Sequence, residues 1–203
     1  MTANDDYLID LGLAKASGEA TQILATMQPN LSSIPVSPSS HVNEVWREIE
    51  ARGLGNNVRG NLFELLLGSI LLANGIQPFF SQAEVTFVNN ARFDFLLWED
   101  GWNPISLSIK TSLRERYKQA ELEAWALKSV HRKAENWLIT LNKKEVLNRR
   151  NQRQSTKEHS YLDGLVLANE AEFDNFILDL QSRTFSIPND INPMQNSRIV
   201  KSL

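Results

Sequence analysis

Two charged residues lie in strongly apolar stretches of this chain. Asp94 is in the middle of RFDFLLW (92–98), and Lys110 ends SLSIK (106–110), where the apolar pattern stops. Burying a carboxylate costs free energy unless it is paired or bound to a metal ion. Metal-dependent phosphodiester hydrolysis needs such carboxylates to hold a divalent cation, and a nearby positive group to orient water. A simple ion pair of Asp94 with Lys110 or Arg92 is the structural alternative.

The segment after Lys110 contains charges of both signs. The pattern predicts a helix over 113–133, with Ser112 as its N-cap and three charged residues in its first turn. Those residues are Arg114, Glu115 and Arg116. Arginine can donate two hydrogen bonds to guanine, and a carboxylate can accept one from cytosine, so the trio suits recognition of C·G pairs. Mixed charges are also common at the start of ordinary helices.

The elements predicted to position these residues have an α/β order with a mixed sheet. Three short β-rich runs, 83–88, 92–98 and 104–110, predict successive strands of a meander. Neighbouring strands lie about 4.8 Å apart, so Asp94 and Lys110 can converge at one sheet edge. Further strands are predicted at 136–141 and 162–168, and helices at 5–28, 42–52, 58–74, 143–150 and 171–182. The tail after Arg183 is expected to wrap or fray.

Length and composition indicate one globular domain with a small appendage. The chain has 203 residues, of which 42% are hydrophobic and 22% charged. Residues 1–41 are predicted to form an N-terminal helix and a Ser/Pro-rich linker, serving as an arm or a dimer contact, and residues 42–203 the main domain. The acidic N-terminus of the chain lacks a signal-peptide pattern, and no apolar run is long enough to span a membrane. The cytoplasm is therefore the expected location.

Residue usage excludes several classes of site. The chain has no cysteine and three scattered histidines, which excludes disulfides and thiolate sites and disfavours a histidine zinc site. No glycine-rich phosphate loop or G-x-S-x-G motif is present.

Charge is unevenly distributed along the chain. Residues 112–157 contain 12 Lys and Arg against 5 Asp and Glu, and the rest of the chain contains 9 Lys and Arg against 19 Asp and Glu. A basic segment on an acidic body suggests a polyanion such as DNA, or an ordinary solvated helical face.

Taken together, these residues resemble the PD-(D/E)XK restriction endonucleases, specifically the CCGG-type branch with EcoRII- and PspGI-type enzymes. In that branch the acid two residues before the lysine is replaced, and its carboxylate comes from the following helix. Here Ser108 is at the acid position, and Glu123 lies 13 residues after Lys110. The branch members that recognise CC and GG place an Arg-Glu-Arg trio four residues after the lysine, which is the position of Arg114. Glu64 matches a glutamate on the helix before the first catalytic strand.

The resemblance implies a Mg²⁺-dependent type II restriction endonuclease with the corresponding α/β fold, a mixed sheet flanked by helices. Asp94 and Glu123 would bind the metal, and Lys110 would orient the attacking water and steady the phosphate. The Arg-Glu-Arg trio would recognise a CC/GG-containing site (CCGG, CCNGG or CCWGG-like), and cleavage would leave 5′-phosphate ends. The expected partners are double-stranded DNA, a second copy in a homodimer, and a cognate DNA methyltransferase.

Several alternatives stay open at the level of sequence. Glu64 could be a buried structural residue bonded to Arg59 or Lys110, and Glu121 competes with Glu123 for the metal-site role. Trp46 could stack on a flipped base, although a core position is the more ordinary interpretation. A repair or nicking nuclease of the same fold, and a DNA-binding protein without catalysis, are the alternative functions.

Overall fold

The computed structural model of this protein describes residues 5–34, 37–89, 91–99, 103–114, 116–156, 159–188 and 194–202. The helices are α1 (Asp6–Asp10), α2 (Glu19–Met27), α3 (Pro38–Ala51), α4 (Asn56–Ala73), α5 (Arg116–Val130), α6 (Lys143–Thr156) and α7 (Ala171–Gln181). The strands are β1 (Phe79–Val85), β2 (Phe93–Glu99), β3 (Asn103–Lys110), β4 (Glu135–Thr140), β5 (Gly164–Leu167), β6 (Met194–Gln195) and β7 (Arg198–Val200).

The strands form one mixed sheet. Its order is β5-β4-β3-β2-β1, with β6 and β7 both paired to the outer side of β1. The strands β1, β2 and β3 form an antiparallel meander, whereas β3, β4 and β5 run parallel. Parallel neighbours require crossover connections, and α5 and α6 provide them. The predicted α/β class with a mixed sheet is therefore confirmed.

Both faces of the sheet are covered, which explains why the central strands β2 and β3 are buried along almost their whole length. Successive side chains of a strand point to opposite faces. Accordingly, Phe95 and Leu97 pack into the cluster formed with α4, whereas Leu96 and Trp98 join a cluster on the other side with Leu127 of α5. A strand buried on both faces loses the polar alternation of a half-exposed strand. The centre of the sheet is therefore covered by α4 on one face and by α5 on the other.

The helix α4 is the central core helix, and α5 covers the opposite face. Ten residues of α4 are buried, including Leu62, Phe63 and Leu66 at 0% exposure. Glu64 is the one charged residue within the apolar stretch 62–73 of this helix, so it stands out. On the other face, Ala120 and Ala124 of α5 pack in a cluster with strands β4 and β5.

The structure places several boundaries differently from the sequence pattern. The predicted helix 5–28 is two helices, α1 and α2, separated by a turn in which Gly12 has a φ of 77°. The predicted linker 29–41 is shorter, because α3 begins at Pro38 after an N-cap at Ser37. The tail does not fray over 194–200: β6 and β7 pair with β1.

The helix α5 begins at Arg116, three residues later than predicted, so Ser112 is not its N-cap. The backbone N–H of Leu113 donates to Glu145 Oε2 at 2.7 Å. This bond ties the segment before α5 to α6, while the Leu113 C=O accepts a helix-type hydrogen bond from the Tyr117 N–H at 2.9 Å. Arg114 lies before the first residue of α5.

The N-terminal segment contributes to the main core. Leu8 and Leu24 are completely buried, in the same cluster as Phe63 and Phe79. The division of the chain at residue 41 stays a prediction. Among the described residues, no helix combines the length and apolar character needed to cross a bilayer.

Candidate active site

Asp94 and Lys110 lie on adjacent antiparallel strands and form a buried ion pair. Lys110 Nζ donates to Asp94 Oδ2 at 2.5 Å, and the backbone N–H of Ile109 donates to the same oxygen at 2.7 Å. Each residue is 8% exposed. Arg92, the other partner considered for Asp94, is paired with Glu84 at 3.1 Å. This ion pair explains how an apolar strand tolerates Asp94. Both bonds use Oδ2, so Oδ1 of Asp94 can accept from a further partner.

A local distortion of β1 lies opposite Asp94. In the pairing of β1 with β2, Ser81 lies opposite Phe95 and Ala83 lies opposite Phe93, but Gln82 between them is not paired. The backbone φ of Gln82 is 52°. A left-handed backbone at a residue other than glycine is uncommon and interrupts regular strand pairing. It lets Gln82 Nε2 donate to Glu64 Oε2 at 3.0 Å. The distortion thus links the sheet to the glutamate on α4.

Glu123 reaches the same place from α5. It is 7% exposed, and its Oε1 accepts a hydrogen bond from Gln119 Nε2 at 2.8 Å. Burial raises the pKa of the Glu123 carboxyl above its usual range, and the negative charge of Asp94 acts in the same direction. The hydrogen bond from Gln119 and the positive charge of Lys110 oppose that rise. Glu123 is therefore close enough to Asp94 and Lys110 to interact with both charges.

Glu64 approaches from α4. Burial, followed by the negative charge of Asp94, raises the pKa of Glu64 to about 7, whereas Lys110, Gln82 and Arg198 act to lower it. Its hydrogen bond goes to Gln82, while Arg59 pairs with Glu50 at 3.4 Å. Asp94 and Lys110 therefore lie within electrostatic range of both Glu64 on α4 and Glu123 on α5, and we call these four residues the cluster.

The cluster contains three carboxylates and one ammonium group. Among the described residues, no three acidic or histidine side chains are already grouped tightly enough to hold a metal ion. The donor chemistry nevertheless fits Mg²⁺, which prefers carboxylate oxygens and water. Burial raises the pKa values of Glu64 and Glu123, and the negative charge of Asp94 adds to the rise in both. A divalent cation near these carboxylates would oppose that rise.

An open cleft of about 1280 Å³ leads to this cluster. Glu64 and Lys110 line it, and so do Arg114 and Arg116, whose side chains are exposed. Glu115, the middle residue of the predicted recognition trio, lies outside the described residues. Glu123 borders a separate depression together with Gln119. The cleft thus joins the predicted catalytic lysine to two of the predicted base-recognising residues.

Three residues of the site were missed by the sequence argument. Gln119 lies four residues before Glu123 on α5, a spacing at which helical side chains meet, so this pair could have been found. Glu145 could also have been found, because it lies three residues after Asn142, the spacing of a helix N-cap. Asn142 caps α6: its Oδ1 accepts a hydrogen bond from the Glu145 N–H at 3.1 Å. No sequence signal indicates the left-handed backbone of Gln82.

Glu121 lies in a different network from Glu123. It accepts hydrogen bonds from Tyr117 at 2.7 Å, from the Tyr161 N–H at 2.9 Å and from Arg153 at 3.0 Å. Burial acts to raise the pKa of Glu121, but bonds from Ser160, Tyr117 and Tyr161 outweigh it, so the pKa falls below its usual range. Glu121 therefore connects α5 to α6 and to the 160–161 segment, away from Lys110.

Trp46 is a core residue. It is 7% exposed, its ring lies edge-on to Phe63 at 5.4 Å, and Arg59 lies 5.3 Å from the ring centre. Its Nε1 donates to Glu50 at 3.2 Å, so both its apolar surface and its N–H are occupied within the chain.

No family model, no curated protein and no solved structure matches this chain.

Proposed function

We propose that this protein is a Mg²⁺-dependent type II restriction endonuclease of the PD-(D/E)XK kind. It would cleave both strands of DNA at a CC/GG-containing site. The observation that carries the proposal is the position of Glu123, buried on a helix and within electrostatic range of Asp94 and Lys110. Ser108 lies two residues before Lys110 on β3 and has no carboxylate, so Glu123 takes the place of the missing acid.

The order of the elements supports the same proposal. A core helix with Glu64 precedes the antiparallel strands that hold Asp94 and Lys110, and a crossover helix with Glu123 follows them. This order agrees with what the resemblance implies for the fold. Placing ligands at the ends of neighbouring strands and on packed helices gives each side chain a fixed position, which a catalytic site requires.

Asp94 and Glu123 would hold the divalent cation, since both are buried carboxylates beside Lys110. A cation bound there would supply positive charge against the scissile phosphate. Asp94 presents one oxygen to Lys110 and Ile109, which leaves Oδ1 as its available ligand atom. Gln119 fixes the Glu123 carboxylate from one side through its 2.8 Å bond, which limits how far Glu123 can rotate.

Lys110 and Glu64 would act on the reacting atoms from the cleft. A water oxygen forms a bond to phosphorus while the bond from phosphorus to the 3′ oxygen breaks, leaving a 3′-hydroxyl and a 5′-phosphate. Lys110 orients the water and neutralises charge on the phosphate. Glu64, with a pKa of about 7, is partly ionised at neutral pH and can accept the proton that the water loses. The departing 3′ oxygen takes a proton from solvent.

Arg114 and Arg116 are suited to sequence recognition because they are exposed along the same cleft. Each guanidinium can donate two hydrogen bonds to one guanine in the major groove. The segment that contains Arg114 is held by the bond from Leu113 to Glu145, which reduces the entropy lost on binding. A palindromic site would be bound by a homodimer, and a cognate methyltransferase would protect the host's own sites.

The test is digestion of a plasmid of known sequence with and without Mg²⁺, followed by sequencing of the fragment ends. We expect discrete Mg²⁺-dependent fragments whose 5′-phosphate ends lie at a CC/GG-containing site. Lys110→Ala should abolish cleavage but leave specific binding of a duplex largely intact. Lys133→Ala, an exposed lysine beyond the far end of α5, is the matched control and should cleave like the wild type.

Other outcomes would contradict the proposal in distinct ways. Nicked circles or random ends would favour a repair or nicking nuclease with the same catalytic residues. Binding that is insensitive to Mg²⁺ and to Lys110→Ala, without cleavage, would favour a DNA-binding protein. Continued cleavage by Lys110→Ala would exclude the assigned catalytic role.

A further inference from the structure

A second cavity, of about 640 Å³, lies between α5, α6 and the 159–161 segment. Three large apolar side chains that border it are exposed: Leu122 by 65%, Trp125 by 51% and Tyr161 by 37%. Leu122 and Trp125 are three residues apart and therefore lie on one face of α5. Contiguous apolar surface left in water commonly marks a binding site. We call this feature the aromatic cavity.

Positive charges border the aromatic cavity. The Arg149 guanidinium lies 4.4 Å from the centre of the Tyr117 ring, and Lys118 is exposed on α5. Within the described part of the chain, neither Lys118 nor Arg149 forms an ion pair with a carboxylate. Arg153, by contrast, is paired with Glu121 at 3.0 Å. Two positive groups are thus available for an anionic ligand.

The aromatic cavity is connected to the cleft along α6. An intermediate depression shares Arg114, Glu145 and Asn148 with the cleft. It shares Arg149 and Gln152 with the aromatic cavity. From residue 145 to residue 152 a helix rises by about 10 Å, which is the length of about three stacked nucleotides.

We infer that the aromatic cavity binds unpaired nucleotides of a DNA strand that continues from the cleft along α6. The inference rests on the proposed function in one respect, namely that DNA occupies the cleft. Bases stack on exposed aromatic rings with little dependence on sequence, and Trp125 and Tyr161 provide such rings. Lys118 and Arg149 lie where the strand's phosphates would need positive partners.

A second copy of the chain fits this surface less well than a nucleic acid strand. A protein partner would bury Lys118 and Arg149, which costs free energy unless a carboxylate faces each of them. A DNA strand provides a negative charge at every nucleotide. Its bases also match the aromatic surface, so one ligand satisfies both features of the cavity.

The test measures the fluorescence anisotropy of a fluorescein-labelled 12-nucleotide oligothymidine in EDTA, where cleavage does not occur. Trp125→Ala should weaken binding by about 5-fold to 100-fold, the range for loss of one base–aromatic stack. Leu178→Ala, which removes another exposed apolar side chain on α7, is the matched control and should leave affinity unchanged. Affinity for a blunt duplex confined to the cleft should not respond to either substitution.

A double variant tests the charges independently of the aromatic ring. Lys118→Gln with Arg149→Gln should lower the slope of log affinity against log salt concentration by about 1.4, because two phosphate contacts to a single strand are lost. Lys118 is exposed and Arg149 is half-buried over the Tyr117 ring, so circular dichroism melting checks that the variant folds. An unchanged slope would contradict the inference.

The inference and the proposed function fail in different ways. If oligothymidine affinity is insensitive to Trp125→Ala in a protein that cleaves DNA, the inference alone is wrong. If oligothymidine binds through Trp125 but no duplex is cut, the proposed function alone is wrong. Equal weakening on duplex and single strand by Trp125→Ala, or a change of oligomeric state without a change of affinity, would also overturn the inference.

Discussion

Asp94 is tolerated in an apolar strand because Lys110 and the Ile109 N–H satisfy one of its oxygens. The other carboxylates of the cluster do not have a comparable partner. Glu123 and Glu64 accept hydrogen bonds from neutral amides, Gln119 and Gln82, and their pKa values are raised. At the scale of single residues, burial and the Asp94 charge therefore disfavour the ionised forms of Glu64 and Glu123.

Glu123 and Glu121 provide a matched pair, two residues apart on the same helix. Glu123→Gln removes a proposed metal ligand and should abolish Mg²⁺-dependent cleavage while the fold is retained. Because Glu121 bonds Tyr117, Tyr161 and Arg153 instead, Glu121→Gln should keep specific cleavage but lower the free energy of unfolding by about 1–3 kcal/mol. Plasmid digestion and urea denaturation of both variants measure the two effects, and the reverse result would exchange their roles.

Glu64 should make stability depend on pH. Its pKa is about 7 in the folded chain against 4.5 ordinarily. The unfolded chain therefore loses this proton at lower pH than the folded chain, and folding becomes less favourable as pH rises. The stabilisation is complete below pH 4.5 and is lost as pH rises through about 7.

Glu64→Gln should remove this dependence. Between pH 4.5 and pH 8 the unfolding free energy of the wild type should fall by at most about 3 kcal/mol relative to that of the variant. This limit follows from the size of the pKa difference. Urea denaturation in EDTA at several pH values measures the difference. Parallel stability curves for the two proteins would show that Glu64 titrates normally.

At the scale of elements, α5 connects the three parts of the site. The Leu113–Glu145 bond positions the segment just before it at the cleft, its middle carries Glu123, and Leu127 near its end is fully buried under the sheet. Burial of one face of the helix, which includes Ala120, Ala124 and Leu127, fixes its rotation. Glu123 is therefore directed inwards by apolar packing and not by its own interactions alone.

The C-terminal strand β7 closes the outer edge of β1 and brings Arg198 close enough to Glu64 to lower its pKa. Val200 is fully buried, whereas its neighbour Ile199 is 44% exposed. Val200→Ala should cost about 1–3 kcal/mol of unfolding free energy, and Ile199→Ala about 0.5 kcal/mol or less. Equal effects in thermal or urea denaturation would indicate that β7 does not pack as described.

At the scale of the whole molecule, the proposed function predicts the composition of the DNA complex. A palindromic site has two equivalent halves, so two copies of the chain should bind one duplex. Sedimentation of the Lys110→Ala variant with a cognate duplex should give two 23.0 kDa chains per DNA. A single chain per duplex would instead support a nicking enzyme.

The charge distribution has a consequence at the same scale. The basic segment 112–157 contains α5, α6 and the two arginines proposed for base recognition, and it contributes lining residues to both the cleft and the aromatic cavity. Such an asymmetry orients a polyanion towards one face and repels it from the others. The net charge of −3 hides this because it is an average over both parts.

The sequence alone predicts the α/β class, the strands that hold Asp94 and Lys110, and the helix that carries Glu123. These follow from local patterns: apolar periodicity, helix-ending glycines and fixed spacings along one chain segment. It also separated the basic segment from the acidic remainder. Such features depend on neighbouring residues, so they can be derived before any long-range contact is known.

The tertiary structure is needed to establish the separate environments of Glu121 and Glu123 and the first residue of α5. Glu121 is held by Arg153 and the Tyr161 N–H, whereas Leu127 of the same helix packs under the sheet, and the segment before α5 is tied to Glu145 of another helix. The distortion at Gln82 and the pairing of the tail with β1 likewise involve distant segments. Contacts between residues far apart in sequence carry no local signal, which is why they appear only in the folded chain.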